Sequence, residues 1–169
     1  FKTWLYKTAE RRLAKNTDCI IAISEIQKNE LVNIHKIADS TKFRVVPLGF
    51  DLNKFQENKE EKREDFRAKY NIQSAEIAIG IIGRLTSIKN HDLFFDALKI
   101  IGAITKKIIR VFVIGDGELM TELKHKAFLI EKQTAIQIEF TSWITDIAQV
   151  LPGLDIVALT SLNEGTPVS

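Results

Sequence analysis

Short apolar runs rich in β-branched residues alternate with amphipathic segments along most of this chain. The runs predict strands at residues 19–23, 43–47, 77–82, 109–114, 136–140 and 156–159. The clearest helical segment covers residues 90–104, where apolar side chains recur every three or four positions. We predict that its inner face consists of Leu93, Phe94, Ala97, Leu98 and Ile101. This alternation predicts an α/β fold, a Rossmann-like open parallel sheet with helices on both faces.

The remaining segments complete this prediction. Further helices are expected at residues 1–15, 24–35, 64–70, 118–129 and 146–151, and a solvated charged segment at 53–63. Ser24 followed by Gln27 is a capping-box pattern. Because too few elements precede residue 42 to form a domain, we predict that residues 1–41 are the tail of a preceding domain with its linker. Residues 42–169 would then form the main α/β domain.

Composition narrows the classes of function. The chain has 24 basic and 22 acidic residues, a net charge of +2, which gives no global argument for nucleic-acid binding. Residues 1–15 carry five basic residues against one acidic residue, so this helix either packs on its parent domain or contacts anionic lipid. The single Cys19 allows no internal disulfide and favours a reducing, cytoplasmic setting. The start at Phe1 indicates an excised segment, so targeting cannot be read.

The strongest candidate chemistry lies where the strand at residues 77–82 ends. Gly83 lets a ligand approach the backbone, Arg84 can hold phosphate oxygens with paired N–H groups, and Lys89 supplies a compact positive charge. The helix that begins near Asn90 adds free N–H groups. Together these features predict a clamp for a diphosphate. The alternative is a loop that carries two ordinary surface cations.

Other strand ends carry weaker signals. Gly115-Asp116-Gly117 lacks the third glycine of a dinucleotide fingerprint and is more typical of a tight turn. Trp143 either walls a base pocket or belongs to the core. The three histidines and Cys19 lack the spacing of metal ligands, so no metal site is expected. The final strand leads to Glu164 and to Thr166-Pro167, a typical helix start.

Taken in order, these motifs resemble the nucleotide-sugar-binding domain of family 4 glycosyltransferases, which have the GT-B fold. The resemblance rests on GRLTSIK at 83–89, VIGDGEL at 113–119, EFTSW-x2-D at 139–146 and D-x8-EGTP at 155–167. DCIIAIS at 18–24 and KFRVVPLGFD at 42–51 match the exit from the first domain of that fold and the entry into its second. The resemblance implies one half of a GT-B fold.

The resemblance also implies roles for individual residues. Arg84 and Lys89 match the pair that binds the donor's diphosphate, and Glu164 matches the first of two glutamates, which contacts hydroxyls of the donor sugar. The glycines that line the cleft floor match Gly115 and Gly117, and Gly83 is a donor-binding residue beside Arg84. The segment beside the nucleobase matches Ser142, Trp143 and Ile144. The loop that faces sugar and phosphate matches Gly165, Thr166, Pro167 and Val168. The second glutamate is expected beyond Ser169, so the fragment alone is expected to be inactive.

The implied reaction is transfer of a sugar, with retention of anomeric configuration, from a nucleotide sugar to a saccharide or lipid-linked acceptor. UDP is the favoured nucleotide, and no cofactor or metal is expected. One departure is Asn90, which stands where the family commonly has glycine but is a good helix cap. A sugar-nucleotide epimerase of GT-B type, a dinucleotide-binding half of a dehydrogenase and a non-catalytic nucleotide-binding module remain alternatives. Peripheral membrane contact through residues 1–15 also stays open.

Overall fold

A computed structural model describes residues 2–162 of the chain. These residues form two compact units, which divide between Phe50 and Asp51. The division lies after the second strand rather than before residue 42. The reason is that strand β2 (Phe43–Val45) pairs in parallel with β1 (Ile20–Ala22), so both strands belong to the first unit.

The first unit is small. Helix α1 (Lys2–Lys15) precedes β1, and α2 (Glu25–Asn29) continues into a π-helical turn, Glu30–Ile34, before β2. The predicted cap at Ser24 is confirmed, because its Oγ accepts the N–H of Gln27 at 3.1 Å. The side-chain oxygen of Gln27 in turn accepts the N–H of Ile23 at 2.8 Å. The core of this unit is formed by Ala14, Ala22, Ile37 and Phe43.

The second unit contains a four-stranded parallel sheet. Its strands are β3 (Ile77–Ile82), β4 (Ile109–Ile114), β5 (Ile136–Ser142) and β6 (Ile156–Ala158), in the order β5-β4-β3-β6. Its helices are α3 (Asn53–Gln56), α4 (Lys59–Lys69), α5 (His91–Ile104) and α6 (Met120–Gln133). The 3₁₀ turns Ile147–Gln149 and Leu151–Gly153 lead from β5 to β6. The predicted Rossmann-like parallel sheet is therefore confirmed.

Both faces of the sheet are packed. On one face, Val111 and Val113 of β4 belong to a cluster with α5 and α6. On the other face, Phe112 and Ile114 join a cluster with Phe66 of α4 and the 3₁₀ turns. Strand β4 is buried on both sides, as expected of a central strand in a parallel sheet.

Two local features differ from what the sequence pattern indicates. The buried face of α5 is His91, Phe94, Phe95 and Leu98, whereas Leu93, Ala97 and Ile101 are exposed. Because apolar residues surround most of this helix, its sequence did not distinguish the two faces. The charged segment 53–63 is largely exposed, as predicted, and it is also largely helical, since it contains α3 and the start of α4. A short apolar run is typical of a buried strand, but Ile156 and Val157 of β6 are 50% and 45% exposed. Among the described strands β6 pairs with β3 alone, which makes it an edge strand.

Asp155 fixes the start of β6 to the rest of the second unit. Its carboxylate accepts the backbone N–H of Ala78, in β3, at 2.8 Å. It also accepts bonds from Arg63 at 2.7 Å and Arg67 at 3.2 Å, both on α4. One carboxylate therefore joins the edge strand to its neighbouring strand and to a helix.

Candidate functional site

The loops that leave the four parallel strands are joined at the carboxyl edge of the sheet. Two of them are central: the β3 exit loop (residues 83–90) and the β4 exit loop (residues 115–119). The connecting hydrogen bonds, donor first, are Gly83 N to Ile114 O (3.0 Å), Leu85 N to Asp116 O (2.9 Å), Leu119 N to Leu85 O (3.1 Å), Gly115 N to Ser142 O (3.0 Å), Leu162 N to Ile88 O (2.9 Å) and Thr160 Oγ1 to Lys89 O (3.0 Å). These bonds hold the edge together mainly through backbone atoms.

Three glycines allow the β3 and β4 exit loops to approach this closely. Gly83 and Gly115 have φ angles of +152° and +146°, a region that disfavours other residues. A Cβ on Gly115 would overlap the carbonyl oxygen of Gly83, and a Cβ on Gly117 would come within 2.9 Å of the Leu85 carbonyl carbon. The Gly115–Gly117 segment is therefore a tight turn packed on its neighbour, one of the two readings of its sequence. That these glycines line a ligand cleft stays a prediction.

Both cations of the predicted clamp lie on the β3 exit loop, which is anchored by the fully buried Leu85. Arg84 is exposed, and its side chain makes no ion pair or hydrogen bond with residues 2–162. The Lys89 side chain is half-buried and lies over Gly83, with Nζ 3.7 Å from the position that a Cβ on Gly83 would occupy. A glycine at position 83 thus leaves room for the lysine at the edge.

The backbone conformation of Asn90 explains why it can stand where the family commonly has glycine. It has φ +49° and ψ +51°, the left-handed conformation in which glycine is usual and asparagine is tolerated. The residue stands at the N-terminal end of α5, but its side chain accepts no hydrogen bond from the helix, so the expected side-chain cap was wrong. Asn90 can replace the glycine because it tolerates this backbone conformation.

Strand β5 ends in an irregularity that brings an aromatic side chain to the edge. Val113 pairs with Phe140 but Ile114 pairs with Ser142, so Thr141 is an extra residue. Ser142 then adopts φ +56°, a strained angle for serine that the sequence does not reveal. The next residue, Trp143, is 58% exposed, which excludes the alternative that it belongs to the core. Ile144 packs against the cluster on the α4 side of the sheet.

His91, in the first turn of α5, is a buried titratable group close to this edge. It is 2% exposed, and its Nδ1 atom has no hydrogen-bond partner among residues 2–162. Burial lowers the pKa of His91 below its usual value, so the imidazole is neutral at physiological pH. Within residues 2–162 no group of three His, Cys, Asp or Glu side chains is placed to hold a metal ion.

The remaining predicted site residues lie outside the described part of the chain. They are Glu164, Gly165, Thr166, Pro167 and Val168. The described edge joins a glycine-lined loop with two cations to an exposed indole at the carboxyl ends of parallel strands. Open α/β sheets bind ligands at this edge, and fixed cations suit phosphate groups. The fold and site therefore define a candidate binding unit for a phosphorylated, base-containing ligand.

The family of the chain follows from its sequence. Residues 76–169 match the family model described as glycosyl transferases group 1. The match covers more than half of the chain, which therefore belongs to this family. This confirms the resemblance to GT-B glycosyltransferases inferred from the motifs.

Curated relatives extend the similarity into the first unit. The chain is 32% identical, over 98% of its length, to the UDP-Gal:alpha-D-GlcNAc-diphosphoundecaprenol alpha-1,3-galactosyltransferase of Escherichia coli. It is 29% identical, over 78% of its length, to the alpha-monoglucosyldiacylglycerol synthase of Streptococcus pneumoniae. The chain spans only 42% and 30% of these proteins.

Solved structures confirm the fold. Anabaena Alr3699/HepE in complex with UDP and glucose matches with a TM-score of 0.74 at 19% identity, over 92% of this chain and 42% of that one. WaaG, a glycosyltransferase involved in lipopolysaccharide biosynthesis, matches with a TM-score of 0.73 at 16% identity, over 86% of this chain and 38% of that one. The expectation of a Rossmann-like half of a GT-B fold is thus confirmed.

Proposed function

We propose that this chain is the donor-binding part of a retaining glycosyltransferase that uses a nucleotide sugar, with UDP as the favoured nucleotide. The observation that carries the proposal is the β3 exit loop. It holds Arg84 and Lys89 at the carboxyl edge of the sheet, and its backbone is bonded to the β4 exit loop and to the residues after β6. The match to the glycosyl transferases group 1 model supports the reaction class.

The chemistry of sugar transfer suits this loop. When the bond between the sugar and the diphosphate breaks, negative charge accumulates on the departing diphosphate. Cations that are already fixed near that group stabilise the charge without reorganising as it forms. Arg84 offers paired N–H donors to phosphate oxygens, and Lys89 offers a point charge. In this proposal the two side chains carry the leaving-group role without a metal ion.

The remaining contacts in the proposal follow from position along the edge. Trp143, exposed at the end of β5, lies with Ser142 and Ile144 beside the nucleobase, where a π face can stack on it. Gly115 and Gly117 line the cleft floor, and Gly83 binds the donor beside Arg84. Glu164 holds the sugar hydroxyls, and Gly165, Thr166, Pro167 and Val168 face the sugar and phosphate. We assign these parts to the donor-binding domain that contains the second unit, and the acceptor site to the domain to which the first unit belongs.

The acceptor in the proposal is a saccharide or a lipid-linked molecule. The Escherichia coli relative is named for a diphosphoundecaprenol substrate and the Streptococcus pneumoniae relative for a diacylglycerol product. No described helix is long and apolar enough to span a bilayer. We therefore propose a protein that works in the cytoplasm, in peripheral contact with the inner face of the membrane through α1, as part of glycan synthesis.

The proposal is tested on the full-length protein by thermal denaturation with UDP, UDP-sugars, GDP, ADP and NAD. UDP or a UDP-sugar should raise the Tm, and Arg84→Ala and Lys89→Ala should each remove most of that shift. Lys106→Ala is the matched control, since it removes an exposed lysine of the same unit that lies outside the edge. Product analysis with a UDP-sugar and candidate acceptors would then identify the transfer.

The contrary outcomes are distinct. If NAD raises the Tm and UDP does not, the dinucleotide-binding alternative is correct. If a UDP-sugar is converted without an acceptor into its epimer, the enzyme is an epimerase. If UDP raises the Tm equally in the wild-type protein and in both edge variants, the assignment of the clamp to Arg84 and Lys89 is wrong.

A further inference from the structure

The first unit contains a second basic site, on the part of the chain that precedes the donor-binding sheet. A pocket of about 330 Å³ lies between the C-terminal end of α1 and the segment that leads into β2. Four cations line it: Arg11, Lys15, Lys36 and Lys42, and we call it the α1 pocket. Its volume is at the lower end of the range of about 300–1,000 Å³ that small-molecule sites occupy.

The α1 pocket has a strong excess of positive charge. Asp39 is the one carboxylate in its lining. Its Oδ1 atom already accepts the Thr41 N–H at 2.9 Å and the Thr41 hydroxyl at 2.7 Å. These bonds lower the pKa of Asp39, so the group is ionised. None of the four cations forms an ion pair with a carboxylate of residues 2–162, which leaves the lining with three uncompensated positive charges.

Lys42 only builds the pocket, Arg11 both builds it and keeps donors for a ligand, and Lys15 and Lys36 are available to a ligand. Lys42 Nζ donates to the carbonyl oxygens of Ala14, Lys15 and Thr17 at 2.8, 3.2 and 3.0 Å, so all three of its donors are used. Arg11 donates to the carbonyl oxygens of Lys36 and His35 at 3.0 and 2.6 Å, which leaves three of its five N–H groups. The ammonium groups of Lys15 and Lys36 donate to no described residue.

The backbone at Lys36 provides an independent argument. Lys36 has φ +50°, and it follows a helical segment whose end is closed by a bond from Ile37 N to Leu31 O at 2.9 Å. Glycine is the usual residue at such a helix end, because other side chains strain this conformation. A lysine therefore stands here against the local conformational preference. A role for its charge accounts for that choice.

We propose that the α1 pocket binds a phosphate group, either that of a soluble phosphate or diphosphate or that of a lipid headgroup. A dianionic phosphate would offset two of the three excess charges, and its oxygens would accept bonds from Arg11, Lys15 and Lys36. The pocket lies at the amino ends of β1 and β2, since Lys42 immediately precedes β2. The α1 pocket is built from residues of the first unit alone, whereas Arg84 and Lys89 of the proposed donor site belong to the second unit.

The test uses the full-length protein in an Arg84→Ala, Lys89→Ala background, which removes the proposed donor clamp. Pyrophosphate is titrated at constant ionic strength, and co-sedimentation is measured with phosphatidylcholine vesicles that do or do not contain phosphatidic acid. Lys15→Gln and Lys36→Gly remove one available cation each. Arg12→Gln is the matched control, because it removes a neighbouring cation of α1 that does not line the pocket. Arg11 is left intact because it holds the loop in place.

Each pocket variant should weaken binding about threefold and the pair about tenfold, the size expected for exposed charge pairs, while Arg12→Gln changes it less than twofold. Lys36→Gly should also raise the Tm, so its loss of binding does not come from unfolding. Binding of pyrophosphate identifies a soluble phosphate ligand, and binding of phosphatidic acid vesicles alone identifies a headgroup. Equal weakening by Arg12→Gln, or full binding in both pocket variants, overturns the proposal. Neither result depends on whether UDP binds.

Discussion

Removal of the Asp155 carboxylate should be among the most destabilising polar substitutions in the second unit. Asp155→Ala leaves the N–H of Ala78, which is fully buried in β3, without its acceptor. An orphaned buried donor costs about 1–3 kcal/mol. The same change removes the carboxylate that pairs with Arg67, whose side chain is only 12% exposed. The pair with Arg63 contributes little, because the Arg63 side chain is 40% exposed. The total is about 2–4 kcal/mol of unfolding free energy.

Asp155→Asn separates the two contributions. Its amide oxygen can still accept the Ala78 N–H, whereas its NH2 group takes the place of the Oδ1 atom that accepts from Arg63. The charge and the bond from Arg63 are therefore lost, and we expect a cost of about 1–2 kcal/mol. Asp96→Ala is the control, because the Asp96–Lys99 pair is 66% and 51% exposed and should contribute less than about 0.5 kcal/mol. Urea denaturation followed by circular dichroism measures all three variants. A cost below that of Asp96→Ala for either Asp155 variant would refute this reasoning.

The charge should also appear in the pH dependence of stability. Burial alone raises the pKa of Asp155, but the bonds from Ala78, Arg63 and Arg67 outweigh it, and the net pKa is lowered. The unfolded chain therefore binds this proton at a higher pH than the folded chain does. The stabilisation is complete above the unfolded pKa of about 3.9 and is lost as pH falls through the folded value. The difference between wild type and Asp155→Asn should accordingly shrink below about pH 4. A difference in stability that stays constant below about pH 4 would contradict the lowered pKa of Asp155.

Three further substitutions test the backbone and the buried histidine. Asn90→Gly should leave the unfolding free energy within about 0.5 kcal/mol of wild type, whereas Asn90→Ala should lower it by about 1 kcal/mol. The difference arises because only the alanine strains the left-handed conformation. Equal effects of the two substitutions in urea denaturation would contradict this explanation. Ser142 has φ +56°, which strains any residue except glycine. Ser142→Gly should therefore raise the melting temperature or leave it unchanged, and Ser142→Val should lower it by the equivalent of about 1–2 kcal/mol. A stabilising valine would show that the strain is absent. The lowered pKa of His91 means that the folded state resists protonation, so stability should fall as pH drops below about 6.5. His91→Leu, which also removes an unpaired buried Nδ1, should flatten that dependence and match or exceed wild-type stability at pH 7; an unchanged pH profile would exclude His91 as its source.

The central strands were predictable and the edge strand was not, for a physical reason. Strands β3 and β4 are continuous apolar runs between turn residues, a pattern typical of strands that are buried on both faces. Strand β6 has a similar composition, yet Ile156 and Val157 are half exposed because their burial depends on neighbours, not on local sequence. The same limit applies to α5, whose apolar residues fit either face.

The candidate site was predictable in its position but not in its construction. Parallel strands place their carboxyl ends at one edge, so the order of motifs was enough to place Arg84, Lys89 and Trp143 there. The register that sets Gly115 against the Gly83 carbonyl is a tertiary property. Serine gives no signal of the left-handed backbone at Ser142, and Asn90 was read as a side-chain cap although its role is conformational. The sequence identified Asp155 only as the first residue of the D-x8-EGTP motif. It gave no sign of the hydrogen bonds that this carboxylate accepts from Ala78, Arg63 and Arg67.

The way the edge is held together determines how variants of the proposed clamp should be read. Its loops are joined almost entirely by backbone hydrogen bonds and by contacts that require glycine. Arg84 is exposed and bonded to no described side chain, so Arg84→Ala should change the unfolding free energy by less than about 0.5 kcal/mol. Lys89 is half-buried and has further interactions, so Lys89→Ala combines a loss of charge with a structural change. Loss of UDP binding in Arg84→Ala therefore reports the missing contact, and that variant is the decisive one.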